Sequence, residues 1–225
     1  MYVPPQHQSP DSARHLEIMR SYPLATLITG TDGVPEASHV PTIVWSQADD
    51  GGIVVRGHMN RANPQWKRLA TTEQALLVFA GPHGYVSPVW YQVTPAAPTW
   101  DFVAVHARGT IRTLACPEET LAVIRATVSA YEALAGTQWD MTDSIGYFRQ
   151  IMPAAGAFEV VVHDIQAMFK LSQEQRPEIQ QEVACRFAST GLSMHFDLAE
   201  AIWDHMPAPL SVVRNGDEKQ CNRSS

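Results

Sequence analysis

Two prolines, Pro88 and Pro98, constrain this chain more than any other feature. They sit in the stretch Gly81–Gly109, GPHGYVSPVWYQVTPAAPTWDFVAVHARG, which holds two of the six tryptophans, two tyrosines, four prolines and two histidines. Proline lacks an N–H and fixes φ, so neither one continuous helix nor one central strand can run through this stretch. The pattern predicts two strands, near Tyr85–Val86 and Val103–Ala107, joined by an aromatic, proline-stiffened loop. Such a loop can wall a flat, conjugated ligand; the plain alternative is a strand pair with an aromatic core.

The flanking sequence extends this into a mainly β chain with added helices. Asp11 or Ser12 can cap a first helix carrying Leu16, Ile18 and Met19, which Pro23 ends. Leu24–Thr29 reads as a strand, Thr31-Asp32-Gly33 as a hairpin turn, and Glu36–Trp45 as the returning strand with a break at Pro41. A turn at Asp49-Asp50-Gly51-Gly52 leads to a strand Ile53–Arg56 that ends in Gly57-His58. Asn63 can cap a short helix with Pro64 at its first position. Strands follow at Gln74–Phe79 and Phe102–Arg112. A helix starting at Cys116-Pro117 steps through Leu121, Ile124, Val128, Tyr131 and Leu134 and stops at Gly136. A second covers Thr142–Met152. Phe158–Ile165 is a strand that Ala167–Leu171 extends or pairs with, and helices follow at Pro177–Ala188 and Asp197–Met206. Six or more strands with turn signals and a few helices argue for a closed β-barrel with helical additions, an α+β chain. The expected division is a barrel domain over 1–170, a helical extension over 171–206 and a disordered polar tail over 207–225.

The chain has 225 residues and a formal net charge of -7, so no basic face for nucleic acid is advertised. No run of 18 apolar residues occurs, and the N-terminus lacks the apolar core of a signal peptide. Cys116, Cys185 and Cys221 are widely spaced, which fits a reducing cytoplasm. GxGxxG, GxxxxGK and GxSxG are all absent, which argues against Rossmann, P-loop and common hydrolase sites.

Four histidines, His39, His58, His83 and His106, fall on strands or at strand ends. His58 stands out because Gly57 precedes it and a basic segment follows, and a neutral imidazole at a strand mouth can ligate iron. His106 shares a strand face with Phe102 and Ala104 and is the second candidate; His39, before Val40-Pro41, reads as structural. No histidine pair has the short helical spacing of a zinc site. Arg56, Arg61, Lys67, Arg68 and Lys170 can pair with phosphate or propionate groups, or remain solvated surface charges.

Several runs resemble the PaiB-like family, known as FMN-binding negative transcriptional regulators. They are Met1-Tyr2-Val3-Pro4-Pro5, Ser38-His39-Val40-Pro41, Gly57-His58, Asn63-Pro64-Gln65-Trp66 and Gly81-Pro82-His83-Gly84-Tyr85-Val86-Ser87-Pro88. Pro98-Thr99-Trp100-Asp101-Phe102, Ala104-Val105-His106 and Phe169-Lys170-Leu171-Ser172-Gln173 complete the set, which spans roughly residues 1–190. The resemblance implies a split β-barrel, a homodimer and ligand sites at the dimer interface. The chain departs from the family where Glu174-Gln175 replace the usual Asn-Arg after Gln173, and where Trp100-Asp101-Phe102 stands for Trp-Asn-Tyr. These departures are similar to the haem-binding branch, the piperazate synthases, which close N5-hydroxy-L-ornithine to L-piperazic acid through an N–N bond. That likeness implies haem b as cofactor, His58 as axial ligand with His106 as runner-up, and a pocket walled by Tyr85, Tyr91 and Trp100. It makes Lys170, Asp101 and Tyr91 candidates for proton transfer or substrate anchoring, and Arg56 and Arg61 candidates for binding propionates or the substrate carboxylate. FMN remains the alternative cofactor, in a regulator or a flavin-dependent oxidoreductase; a haem or flavin carrier is a third reading.

Overall fold

The computed structural model describes residues 1–9, 11–30, 33–47 and 52–206. The turn signals at Thr31-Asp32 and Asp49-Asp50-Gly51 and the tail from Pro207 lie outside them. Six strands form a closed barrel: β1 (Leu24–Thr29), β2 (Glu36–Gln47), β3 (Ile53–Asn60), β4 (Gln74–Val86), β5 (Thr99–Thr113) and β6 (Ala155–Lys170), in the spatial order β1-β2-β3-β6-β5-β4. β4 closes the ring by pairing antiparallel with β1, from Thr26↔Val78 to Thr29↔Ala75. No helix among the described residues is long and apolar enough to cross a membrane.

The chain forms two compact units, and the boundaries between them fall within β4, β5 and β6. The first takes Met1, Asp11–Ala80 and Ala104–Ala167. Its barrel core follows from alternation: on β3, Ile53, Val55, Gly57 and Met59 are buried while the residues between them are partly exposed. Val105 and Ala107 on β5 and Phe158 and Val160 on β6 are likewise fully buried.

Helix α1 (Ser12–Ser21) is capped by Asp11, whose carboxylate accepts from the Ala13 N–H. Helix α2 (Pro64–Leu69) is capped by Asn63, with Pro64 at the first position as the sequence predicts. Its Gln65 is buried, and its amide donates to Thr29 Oγ1 at 2.9 Å and to the Leu27 carbonyl at 3.2 Å. Helix α3 (Pro117–Leu134) buries Thr120, Leu121, Val123 and Thr127, and its Tyr131 hydroxyl donates to the Thr42 carbonyl at 2.9 Å. Helix α4 (Ile145–Ile151) lies between two short 3-10 turns.

Four expectations need correction. β2 does not break at Pro41; it is continuous, and its irregularity falls between Val44 and Ser46. Pro41 is tolerated because it ends the β1–β2 register at Leu24↔Pro41, while the β2–β3 register starts at Thr42↔Gly57. β3 does not stop before Gly57-His58 but carries both, paired with Phe158 and Ala157. β4 runs on from Phe79 through Gly81-Pro82-His83-Gly84 to Val86, so only residues 87–98 remain as loop. The buried edge of α3 is turned toward Val123 and Thr127, and Leu134 is exposed.

The second unit takes residues 2–9, 81–103 and 168–206. Helices α5 (Pro177–Ala188) and α6 (Ser193–His205) pack against each other, and α5 also meets the turn Pro88–Tyr91. Phe187 is central: Trp90 stands edge-on to it at 5.2 Å and His195 at 5.1 Å. Gly84 makes room for it, since a Cβ there would lie 2.4 Å from the Phe187 ring.

Candidate functional site

The first unit places its candidates on the outer face of β3, β6 and β5. Arg56 and His58 alternate with the buried Val55, Gly57 and Met59, so both point away from the barrel core. The Cα partner of His58 is Ala157, part of a buried cluster with Leu114 and the α3 residue Val123. The imidazole is half-buried, and its Nδ1 is buried with no hydrogen-bond partner among the described residues. Burial lowers its pKa, because the charged ring loses hydration, and so favours the neutral, ligating form.

Beside His58 stands a cluster that no sequence signal disclosed. Glu159, paired with Arg56 across the β3–β6 ladder, is nearly buried. Arg56 donates from Nε to Oε2 at 2.7 Å, and Arg112 donates from Nη2 to Oε1 at 2.7 Å. The desolvation that would raise the Glu159 carboxyl is outweighed by the two guanidiniums, which hold it below its ordinary range. The Arg56 guanidinium also lies 4.1 Å from the centre of the Trp45 ring. One carboxylate between two guanidiniums leaves one net positive charge next to His58. Arg61 stands just past the end of β3, its Nε donating to the Ala155 carbonyl at 2.8 Å and its guanidinium 5.6 Å from the Trp66 ring centre.

His106 does not join this group. It is six residues along β5 from Arg112, roughly 20 Å at a strand's rise. Its neighbours there include Arg108, which donates to Asp164 at 2.9 Å. The His106 Nδ1 is also buried without a hydrogen-bond partner among the described residues. Burial lowers its pKa, helped by the charges of the Met1 ammonium and Arg108.

The second unit brings together the three groups that the resemblance marked for proton transfer. Asp101 is fully buried; its Oδ2 accepts from the Ser172 hydroxyl at 2.6 Å, and its Oδ1 lies 3.7 Å from Lys170 Nζ. Burial pushes the Asp101 carboxyl up to about 6, against the opposing pull of Ser172 and Lys170, while Glu174 adds to the rise. Lys170 donates to Thr99 Oγ1 and, at 2.9 Å, to the Trp100 carbonyl. Tyr91 is buried, and its hydroxyl is raised by burial and by the negative charges of Asp101 and Glu174. Ser172 was missed as a site residue. It lay inside the Lys-Leu-Ser-Gln run, but nothing in the sequence shows that its backbone takes the left-handed φ of 54°.

Of the expected pocket walls, Tyr91 is buried while Tyr85 and Trp100 are exposed. Trp100 donates from Nε1 to His83 Nδ1 at 3.3 Å, and its ring centre lies 6.1 Å from that of Tyr85. Tyr85 and Trp100 are each 49% exposed. Among the described residues no three His, Cys, Asp or Glu side chains are grouped to hold a bare metal ion.

Residues 1–164 match the family described as "Putative FMN-binding domain". Over 179 residues the chain is 30% identical to the Bacillus subtilis protein named protease synthase and sporulation protein PAI 2, covering 78% of this chain and 83% of the relative. An uncharacterized protein of Emericella nidulans is 27% identical over 214 residues, covering 77% of this chain and 85% of the relative. Among solved structures, the FAD and heme binding protein from Mycobacterium smegmatis is similar with a TM-score of 0.57 and 14% identity, over 83% of this chain and 81% of that one.

Proposed function

This chain belongs to the PaiB-like family of FMN-binding-domain proteins, and from that premise we propose that it is a haem-dependent, piperazate synthase-like cyclase. The substrate is N5-hydroxy-L-ornithine and the products are L-piperazic acid and water. The observation that carries this reading is His58: a half-buried imidazole, its pKa lowered by burial, flanked on one sheet face by the Arg56–Glu159–Arg112 cluster. These residues fit the group. A neutral imidazole can bind iron, and guanidiniums beside it suit carboxylates.

Bound haem would supply a Lewis acid that polarises the N–O bond of the hydroxylamine. Overall one N–N bond forms and one N–O bond breaks; the hydroxyl leaves as water, and no external reductant is consumed. The chain's part is to hold the iron at His58 and to bind carboxylates. Glu159 engages both Arg56 and Arg112, but Arg112 and Arg61 are more exposed than Arg56 and are the better carboxylate ligands. Lys170, Asp101 and Tyr91 hold and move protons. The working state is a homodimer, which sedimentation of the purified chain tests.

The deciding experiment is the absorption spectrum of protein purified from cells supplied with a haem precursor, repeated after addition of N5-hydroxyornithine, with piperazate assayed by mass. A Soret band that shifts with substrate, together with product, supports the cyclase. A Soret band without product leaves a haem carrier. Flavin bands, or uptake of FMN by colourless protein, overturn the haem reading in favour of the FMN alternative, which the family match itself favours.

A further inference from the structure

We propose that Ser172 is a positioning residue for proton transfer at Lys170: by holding Asp101 through Oδ2 it leaves Oδ1 as the acceptor facing the Lys170 ammonium. The inference rests on the proton-handling role given to Lys170 above. Lys170 Nζ gives two of its N–H groups to Thr99 Oγ1 and the Trp100 carbonyl. Asp101 Oδ1 lies 3.7 Å from the same Nζ, and that oxygen accepts no hydrogen bond from any described residue. The other carboxylate oxygen is taken by the Ser172 hydroxyl at 2.6 Å. A buried carboxylate with one fixed and one open oxygen can receive a proton at a defined atom.

The local backbone is built to keep Ser172 there. Ser172 is fully buried with φ 54°, where a residue with a Cβ is disfavoured, so its surroundings must hold it. They do so on both sides: Gln175 N–H donates to the Ser172 carbonyl at 2.9 Å, Leu171 N–H to Gln173 Oε1 at 2.6 Å, and Gln180 Nε2 to the Leu171 carbonyl at 2.9 Å. Glycine would sit at this φ without strain, so Ser172→Gly removes the hydroxyl without adding backbone strain.

The step balances without a redox partner. A proton passes from Lys170 Nζ to Asp101 Oδ1, turning ammonium and carboxylate into amine and carboxylic acid. The amine then takes one proton from an ammonium group of a bound ligand, and the pair releases one proton in turn, so that it returns to its starting state. Four groups bear on Asp101: Lys170 and Ser172 favour its ionised form, Glu174 opposes it, and Tyr91 shares the cluster.

The test uses the full chain with 13C-carboxyl aspartate and 15Nζ lysine, free of cofactor, followed by NMR from pH 4 to 8. Asp101→Asn assigns the Asp101 signal. The wild type is expected to show a common inflection at Asp101 and at Lys170 Nζ, which Asp101→Asn removes from Lys170. Ser172→Gly and Ser172→Ala are both expected to raise the Asp101 midpoint by roughly one unit, because the carboxylate loses its hydrogen-bond donor. Ser172→Ala is also expected to melt at a lower temperature than Ser172→Gly. A midpoint that moves in neither variant, or only in the alanine variant, overturns the proposal, as does a wild-type Lys170 signal without the Asp101 inflection. None of these readouts needs haem, so failure of the cyclase reading would show separately, in the absorption spectrum and product assay.

Discussion

Arg56 and Glu159 are paired across the β3–β6 ladder and meet again through their side chains, with Arg56 Nε 2.7 Å from Glu159 Oε2. Because Arg112 occupies the other oxygen, removing the carboxylate strands two guanidiniums on one sheet face. Glu159→Ala is expected to cost about 3 kcal/mol, the low end for a broken buried pair since Arg112 is 59% exposed. Urea unfolding measures this, and a loss below about 1 kcal/mol would show the cluster to be dispensable. The folded pKa of Glu159 lies below its unfolded value. Its contribution is therefore present above the ordinary carboxylate range and is lost as pH falls through the folded value.

Asp101 acts in the opposite sense. Its folded pKa is raised from 3.8 to about 6, so between those values the folded state binds more protons than the unfolded one. Stability therefore falls as pH rises through this window, by about 3 kcal/mol in all. Asp101→Asn should flatten the dependence, since a neutral amide carries no ionisation cost. Melting temperatures at pH 4 and pH 7 for both proteins decide it, and parallel curves would count against the raised pKa.

Gly57 is expected to reject a side chain. A Cβ there would lie 2.5 Å from the Phe158 ring and 2.9 Å from the Pro41 carbonyl oxygen. Gly57→Ala should destabilise by about 3 kcal/mol through overpacking, and should disturb His58 next to it. Chemical denaturation gives the first quantity, and the pigment content of the purified variant gives the second.

His58→Ala should leave the cofactor-free protein within about 1 kcal/mol of wild type, because the ring it removes has a buried nitrogen without a hydrogen bond. The same variant purified from haem-supplied cells should lose its Soret band, whereas His106→Ala should keep it. A normal Soret band in His58→Ala would remove His58 as the iron ligand.

Much of the site's vocabulary could be read from the chain, but several of its words turned out to be architectural. The Asn63-Pro64-Gln65-Trp66 run is used for packing: Asn63 donates to Ser38 Oγ at 2.8 Å, Gln65 ties α2 to β1, and Trp66 fills the space over Gly156. Gly57 read as room for a ligand, yet the room is taken by Phe158. Lys170, Asp101 and Tyr91, which lie up to 79 positions apart in the chain, do form one cluster, and their common partner Ser172 was invisible beforehand.

The sequence by itself determined the local order: helix caps at Asp11 and Asn63, the strand Leu24–Thr29 and the helix Pro177–Ala188. These depend on neighbours within a few residues and on alternation, which a linear chain displays. Only the tertiary structure decided which charges are paired and which atoms are left open. Glu159 meets Arg56 and Arg112 from positions 103 and 47 residues away, and Asp101 meets Ser172 from 71 away. Burial at those contacts, rather than residue type, sets whether a carboxylate is held ionised, as at Glu159, or brought to the edge of accepting a proton, as at Asp101.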